Sequence, residues 1–497
     1  MQHQKPSQGD LSRRDFMKTS AAAGVGLWLA GSPLARSASP LERKRRYVNV
    51  GTGSRSRMYQ KAVNKTYKDF CEMVGYCDVN EGRLRLAQQW GRETTGREIP
   101  IYLAEDFDKM IAEQKPDVVI VTTVDGNHHE YIIRAMELGC DVITEKPMTT
   151  TDDKCQQIVD MQKKTGRHCR VTFNYRYSPP RTQVKDLLMN GEIGDVLSVD
   201  FHWMLNTHHG ADYFRRWHSQ KRFSGGLMVH KATHHFDLVN WWLSAIPVSV
   251  MATGKRDFYT PKMARRMGLD SYHERCHTCP EKDKCTFTLD LAASSSLKQL
   301  YLDNEQYDGY YRDRCVWRPS IDIEDTMNVL VRYDNDVTLC YSVNAFNSWE
   351  GYQIVFNGTK GRIEHSIVEK IYISGTDTEQ GGITEDGITT KILPLRGPSW
   401  FVEPWTGEGG HGGGDKVLLD DLFLPKPPAD PYLRAADHRG GAYSILTGVA
   451  ANHSFNTADS VRIADLVKGL DYPEYPSMPT HEEPVPMPTD LDPTRMG

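Results

Sequence analysis

The sequence predicts an α/β chain whose N-terminal part is a doubly wound parallel sheet, and three observations carry that reading. Between residues 45 and 175, short apolar strands alternate with helical segments as β-α-β-α-β-α-β. Two glycines, Gly51 and Gly53, stand directly after the first strand. A carboxylate, Asp78, ends the second strand 25 residues after Gly53.

The first strand is Tyr47 to Val50. The chain then turns and enters a helix, giving G-x-G-x-x-S with Ser56 at the third small position. Gly51 permits the tight turn, Gly53 leaves the amides open to a pyrophosphate, and Ser56 lets helix and strand pack closely. The strand "CEMVGYCDVN" ends at Asp78, where a carboxylate accepts hydrogen bonds from an adenosine ribose. The helix "AEDFDKMIAEQ" leads to a buried strand, Asp117 to Thr123, and another helix starts beyond Asn127. "CDVITEKPMTTT" is a further strand, ending at Glu145-Lys146-Pro147. A helix and the strand "HCRVTFNYRYSP" complete the unit. Together these features predict a dinucleotide-binding domain of the Rossmann type over residues 45–175. Its expected cofactor contacts are Gly51, Gly53, Ser54, Arg55, Asp78, Thr122, Asn127, His128, Glu145 and Lys146. Asp78 favours NAD because it repels the 2′-phosphate of NADP, while Arg55, Arg57 and Arg83 keep NADP open.

The 497 residues are 39% hydrophobic and 25% charged, the balance of a folded globular protein. A net charge of -5 gives no reason to expect a nucleic-acid partner. No apolar run in the mature chain is long enough to span a membrane. The first forty residues read separately. "SRRDFMK" precedes the weakly apolar "TSAAAGVGLWLAGSPLA", with small residues at Ala35, Ser37 and Ala38. Arg13, Arg14, Phe16 and Lys18 in that order read as a twin-arginine export signal, so residues 1–40 are set aside and a periplasmic or exported protein is expected.

The stretch "GGLMVHKATHHFDLVNWWL", residues 225–243, predicts an apolar helix carrying costly ionisable groups. His230, His234 and Asp237 are spaced i, i+4, i+7 and share one face. Here the chain resembles a known family. "VGTGSRS", "CDVNEGRL", "TEKPMTT", "NYRYSP", "GEIGDV", "SGGLMVHKATHHFDLVNWWL" and "VFNGTKGRIE" occur in the order found in the Gfo/Idh/MocA (glucose–fructose oxidoreductase/inositol dehydrogenase) family, over residues from about 45 to 470.

The resemblance implies that residues 176–470 form an α+β domain with an open, mainly antiparallel sheet, which covers the nicotinamide and mediates a homo-oligomer. It also implies an NAD(P)-dependent oxidoreductase acting on a hydroxyl or carbonyl of a sugar, polyol or glycoside. The usual family pattern is Asp-x-x-x-His-x-x-Asp. Asp237 fixes the register, so His234 falls on the expected base and His230 replaces the supporting Asp. Lys146 is expected to hold the charge of the reacting oxygen. Asn174, Arg176, Lys231, His235 and His411 are expected to line the substrate cleft with Tyr175. The replacement at His230 leaves two further ideas open: a divalent metal on His230 and His234, with His411 or Asp415 as a third ligand, and an NAD-dependent glycoside hydrolase that recycles its cofactor.

Residues 250–320 are a long irregular insertion containing Cys276, Cys279 and Cys285 as C-x2-C-x5-C, then Cys315. Four thiols around a CxxC suit zinc or an iron–sulfur cluster, and two disulfides suit an oxidising compartment equally well. Cys71, Cys77, Cys140, Cys155, Cys169 and Cys340 read as buried thiols. The Pro-rich tail, residues 471–497, reads as an extended arm.

Overall fold

The computed structural model describes residues 43–270, 272–376, 380–479, 484, 485 and 487. The export signal, residues 1–40, and most of the tail beyond 479 lie outside the described residues. The first sheet contains β1 (Arg45–Val50), β2 (Cys71–Asp78), β3 (Ile101–Leu103), β4 (Val118–Val121), β5 (Asp141–Thr144) and β6 (Cys169–Val171). These strands pair in parallel in the order β6-β5-β4-β1-β2-β3. Every residue of β4 is buried, because helices cover both faces of a doubly wound sheet. The intervening helices carry ordinary end signals. The helix Glu81–Thr95, for example, begins where the Asn80 side chain accepts the Arg83 N–H and ends at Gly96 with φ of 70°.

The second sheet is built from β7 (Val196–Asn206), β8 (Pro247–Lys255), β9 (Thr326–Tyr333), β10 (Thr338–Asn347), β11 (Glu350–Gly358), β12 (Gly361–Glu369), β13 (Ile383–Pro394) and β14 (Trp400–Phe401). Two short strands remain: β16 (Val461–Arg462), at the edge of this second sheet, and β15 (Ala436–Asp437), which belongs to the first. The order is β14-β13-β12-β11-β7-β10-β9-β8-β16, antiparallel except for the parallel pair β7 and β10. Strand β7 alternates: Val199, Phe201 and Trp203 face inward, while His202 faces solvent. The helix Ala232–Leu243 lies between this inner face and the helix His438–Thr457, so all twelve of its residues are buried.

Four expectations change in the structure. The ionisable stretch is two helices, Leu227–His230 and Ala232–Leu243, broken at Lys231. Cys340 is exposed, because it occupies an outward position in the two-residue alternation of β10, whereas Cys71, Cys77, Cys140, Cys155 and Cys169 are buried. The chain also returns to the first sheet late in the sequence: β15 pairs antiparallel with β6, and Phe423 packs on Tyr47 and Tyr67 at 5.3 and 5.5 Å. The two sheets accordingly belong to one compact unit from Lys44 onward. Finally, the described start of the tail lies against the body, where the Pro476 carbonyl accepts from Ser244 and the Tyr472 hydroxyl donates to Asp334.

Candidate active site

A cleft of about 710 Å³ opens at the carboxyl ends of β1, β2, β4 and β5, within the range of cofactor and ligand sites. Gly51 has φ of 83°, and a Cβ there would stand 2.6 Å from the Thr122 carbonyl oxygen, so only glycine makes this turn. A Cβ at Gly53 meets nothing within 4 Å, which leaves an open cradle at the cleft wall. Asp78 braces the turn: its carboxylate accepts from the Thr52 N–H at 2.6 Å, the Thr52 hydroxyl at 3.0 Å and the Asn80 N–H at 2.8 Å. Thr122 donates to the Gly51 carbonyl at 2.5 Å. The His128 ring sits between the carbonyls of Thr123 and Pro147 and fixes the loops after β4 and β5. Ser54 and Asn127 line the same cleft. The residues at this end fit a dinucleotide: an open backbone turn, a carboxylate behind it and a groove leading inward.

The basic residues beside that turn are already engaged. Arg55 bonds Glu145 at 2.6 Å and lies 3.7 Å from Asp415, while Glu145 also accepts from the Tyr59 hydroxyl. Arg83 bonds Asp308 at 2.5 Å and reaches Asp78 at 3.4 Å. The Arg57 guanidinium stacks on the Trp90 ring.

At the inner end Lys146, His230 and His234 come together. The Lys146 ammonium donates to the His230 carbonyl at 3.1 Å and stands 3.5 Å from His230 Nε2. His230 Nδ1 is 2.5 Å from Asp125 Oδ2, a carboxylate on the loop after β4. His230 thus has a carboxylate partner from the dinucleotide-binding domain. Burial, then the Lys146 charge, holds His230 well below the usual imidazole range. An ammonium near Nε2 favours a lone pair there, which puts the shared proton on Nδ1 toward Asp125. Burial lowers Lys146 to about 8.

His234 stacks on Tyr175 at 4.2 Å and lines the cleft, and burial also drives it well below the usual range. Its Nδ1 is buried with no hydrogen-bond partner. Lys231 lines the cleft over the Trp203 ring at 4.5 Å. Asn174 and His411 line it together, joined through Asp415, which accepts from Asn174 at 2.7 Å and His411 at 2.9 Å.

Two expected substrate residues are not brought to the cleft. Arg176 is buried and forms a two-bond ion pair with Asp237, at 2.8 and 2.5 Å, so both charges are used up inside the fold. His235 stacks on Trp203 at 3.9 Å and bonds the Tyr341 hydroxyl at 2.6 Å, against the second sheet. The i, i+4, i+7 face therefore divides: Asp237 pairs with Arg176 inside the fold, while His230 and His234 face the cleft. Asp125, Arg216 and His218 are cleft residues that the sequence reading missed. For Asp125 there is a signal in "TTVDGN": a strand-end carboxylate in a chain that lacks one at position 230.

The four cysteines of the insertion do converge. Cys276, Cys279, Cys285 and Cys315 line one cavity of about 20 Å³ with His273, Arg215 and Trp317. An antiparallel bridge between Arg275 and Arg314 joins the two segments, with the Cys276 N–H donating to the Asp313 carbonyl and the Cys315 N–H to the Glu274 carbonyl. No two of these thiols are bonded to each other. Among the described residues no group of three or more His, Cys, Asp or Glu is arranged to hold a metal ion. No metal site is therefore shown at the cysteines or on His230 and His234, where His230 meets Asp125 and Lys146 and His234 stacks on Tyr175.

Comparison with known proteins accords with this geometry. Residues 45–173 match the NAD-binding Rossmann fold of an oxidoreductase family, and residues 185–463 match that family's C-terminal alpha/beta domain. The chain belongs to the Gfo/Idh/MocA oxidoreductase family. Residues 10–29 match the signal sequence of the twin-arginine translocation pathway, which indicates export by that route. YteT of Bacillus subtilis (strain 168), which carries an oxidoreductase name, is 37% identical over 81% of this chain and 94% of its own length. An inositol 2-dehydrogenase of Gluconacetobacter diazotrophicus is 30% identical over 30% of this chain and 43% of its own. A glycosyl hydrolase family 109 protein of Shewanella baltica (strain OS185) is 23% identical over 93% of this chain and 97% of its own. The aldose-aldose oxidoreductase of Caulobacter crescentus, solved with glycerol, shares the fold with a TM-score of 0.56 at 16% identity, over 84% of this chain and all of that one.

Proposed function

We propose that this exported Gfo/Idh/MocA protein interconverts a secondary alcohol and a carbonyl on a sugar, polyol or glycoside, with NAD as hydride partner. The observation that carries the reading is the single cleft joining the Gly51–Gly53 cradle to Lys146, His230 and His234. In the oxidising direction the hydroxyl proton goes to a base and the carbon-bound hydrogen leaves as hydride, which the nicotinamide accepts when the dinucleotide is bound. His230, backed by Asp125, takes the proton at Nε2. Lys146 holds the negative charge on the reacting oxygen. His234 turns its other ring nitrogen to the substrate, with its plane fixed by Tyr175. Asn174, Lys231 and His411 bind substrate hydroxyls. Arg176 and His235 act at a distance, by holding the catalytic helix in place.

NAD is favoured over NADP, because Asp78 stands at the end of β2 and Arg55 and Arg83 are tied to carboxylates. Export through a route for folded proteins suits a cofactor bound before transport and a periplasmic site of action. The inositol 2-dehydrogenase relative supports a polyol or sugar substrate. The reading includes a homo-oligomer formed through the outer face of the second sheet.

The test is native mass spectrometry of the exported protein, followed by a sugar and polyol panel read by NADH absorbance. Bound NAD and substrate-dependent NADH are expected. Lys146→Ala and His230→Ala should retain the dinucleotide and lose ~10²–10⁴-fold in turnover. NADP as the main bound species, or full activity in both variants, overturns the assignment. The Shewanella relative favours one second reading, oxidation followed by glycosidic elimination with recycled NAD. Release of reducing sugar from a glycoside without net NADH selects it.

A further inference from the structure

The helix Thr207–Arg215 carries a hydrogen-bonded chain that the hydride chemistry above leaves unused. It starts where β7 ends, at Asn206, whose side chain accepts from the His208 and His209 N–H groups at 2.8 and 2.9 Å. Strand β11 pairs with β7 and begins at Glu350, which is 1% exposed. One Glu350 oxygen accepts from the Asn206 N–H at 2.8 Å, and the other lies 2.6 Å from His209 Nδ1. His209 Nε2 in turn is 2.8 Å from the Tyr213 hydroxyl, one helical turn further on. His209 and Tyr213 are both buried residues of the cleft wall.

The direction of the chain follows from its donors. A carboxylate only accepts, so the His209 proton belongs on Nδ1 and Nε2 keeps a lone pair. That lone pair accepts the Tyr213 O–H. Burial, then the Glu350 charge, holds Tyr213 well above the usual tyrosine range, so the phenol keeps its proton for this bond. The Tyr213 oxygen is left as an acceptor, with no further hydrogen bond among the described residues. An acceptor fixed in a water-poor wall gains most from a donor on the ligand. The position adjoins the reacting one, because the Tyr213 ring meets the His230 ring edge-on at 5.4 Å. His230 is oriented the same way, Nδ1 toward Asp125 and the lone pair on Nε2. Two acceptors, each backed by a buried carboxylate, thus stand side by side.

We propose that Tyr213 is a specificity-determining residue that accepts a hydrogen bond from a substrate hydroxyl on the carbon next to the one oxidised. The substrate class is then a vicinal diol whose second hydroxyl is free. A methoxy group there has no hydrogen to give, and a deoxy carbon leaves the Tyr213 oxygen unpaired. This deepens the oxidoreductase reading and rests on it for which carbon is oxidised.

The experiment is calorimetric binding to the NAD-loaded, full-length mature protein. The probes are methyl glucoside, methyl galactoside and myo-inositol, with their monodeoxy and mono-O-methyl derivatives, and the oxidised carbon is identified from the ketone formed. At the hydroxyl beside that carbon, both changes should weaken binding about tenfold or more. In Tyr213→Phe the deoxy penalty should vanish at that hydroxyl alone and persist at the others, the coupling a double-mutant cycle measures. Should this variant fold poorly, His209→Asn carries the test. Its amide keeps an N–H for Glu350 and offers nothing in place of Nε2, so the Tyr213 O–H is released to donate and the methoxy penalty should shrink. Uniform weakening of every ligand, coupling to a hydroxyl elsewhere on the ring, or no binding by any probe overturns the proposal. Coupling of Tyr213 to one hydroxyl without NADH from any probe sinks hydride transfer instead and leaves the acceptor site standing.

Discussion

Individual protons held by buried groups govern the chemistry. Lys146, lowered to about 8, is still mostly an ammonium at pH 7 and loses its charge as pH rises through about 8. If that charge is needed, kcat/KM carries a falling limb near pH 8. Lys146→Arg keeps a charge throughout and should remove the limb, whatever activity remains. An unchanged limb in that variant would assign it to another group. Asp125→Asn keeps the size but removes the carboxylate from His230 Nδ1, so kcat/KM should drop ~10²–10⁴-fold with dinucleotide affinity intact. Asp237→Asn tests the opposite kind of residue. It leaves the Arg176 charge buried and unpaired, a loss of about 3–5 kcal/mol. A large fall in the melting midpoint is expected, with KM little changed at temperatures where the variant is folded. Lys146, His230 and His234 are legible in the sequence because they sit in short motifs. Asp125 is not, because its meaning comes from a histidine 105 residues away.

Elements decide which residues of a motif share a task. His230 and His234 reach the cleft together across the short interruption at Lys231, while Asp237, further along, turns to Arg176. The periodicity is in the sequence, but the break depends on the tertiary setting: Lys231 reaches over Trp203 and toward the Tyr175 hydroxyl. The cysteine insertion poses the same question at a second site. Its four thiols line one small cavity, and burial raises Cys279 and Cys315, so neither is a ready thiolate. We expect the four to act as one unit. Cys276→Ser and Cys315→Ser should each lower the melting midpoint, and the double variant should add little to either single one, the coupling expected of residues in one cluster. Independent, additive shifts would separate them. Spacing alone suggests that Cys276, Cys279 and Cys285 belong together. That Cys315 joins them depends on the pairing of Arg275 with Arg314.

Two properties belong to the whole molecule. The outer face of the second sheet exposes Met251, Leu330 and Val368, and Met251 pairs with Leu330 across β8 and β9. Light scattering should therefore give more than one copy per particle, and Leu330→Lys with Met251→Lys should shift the mass toward the monomer. A monomeric parent would end that reading. Stability should also fall in mild acid. His218, His230, His234 and His235 are all held well below the usual imidazole value by burial, and His365 is lowered to about 3. The unfolded chain binds protons below about 6.5 that the folded chain refuses. This stability is complete above that pH and is lost as pH falls from there toward the folded values. A melting midpoint that holds constant from pH 8 to pH 4.5 would contradict it. The sequence by itself determined the Rossmann unit, the export signal, the family and the motif residues of the cleft, because strand alternation, glycine turns and short motifs are local and survive being read one after another. Only the tertiary structure decided that Asp125 bonds His230 and that Arg176 is used up by Asp237. Each of these is a balance of charge and burial between segments far apart in the chain, and that balance exists only once the two sheets are packed together.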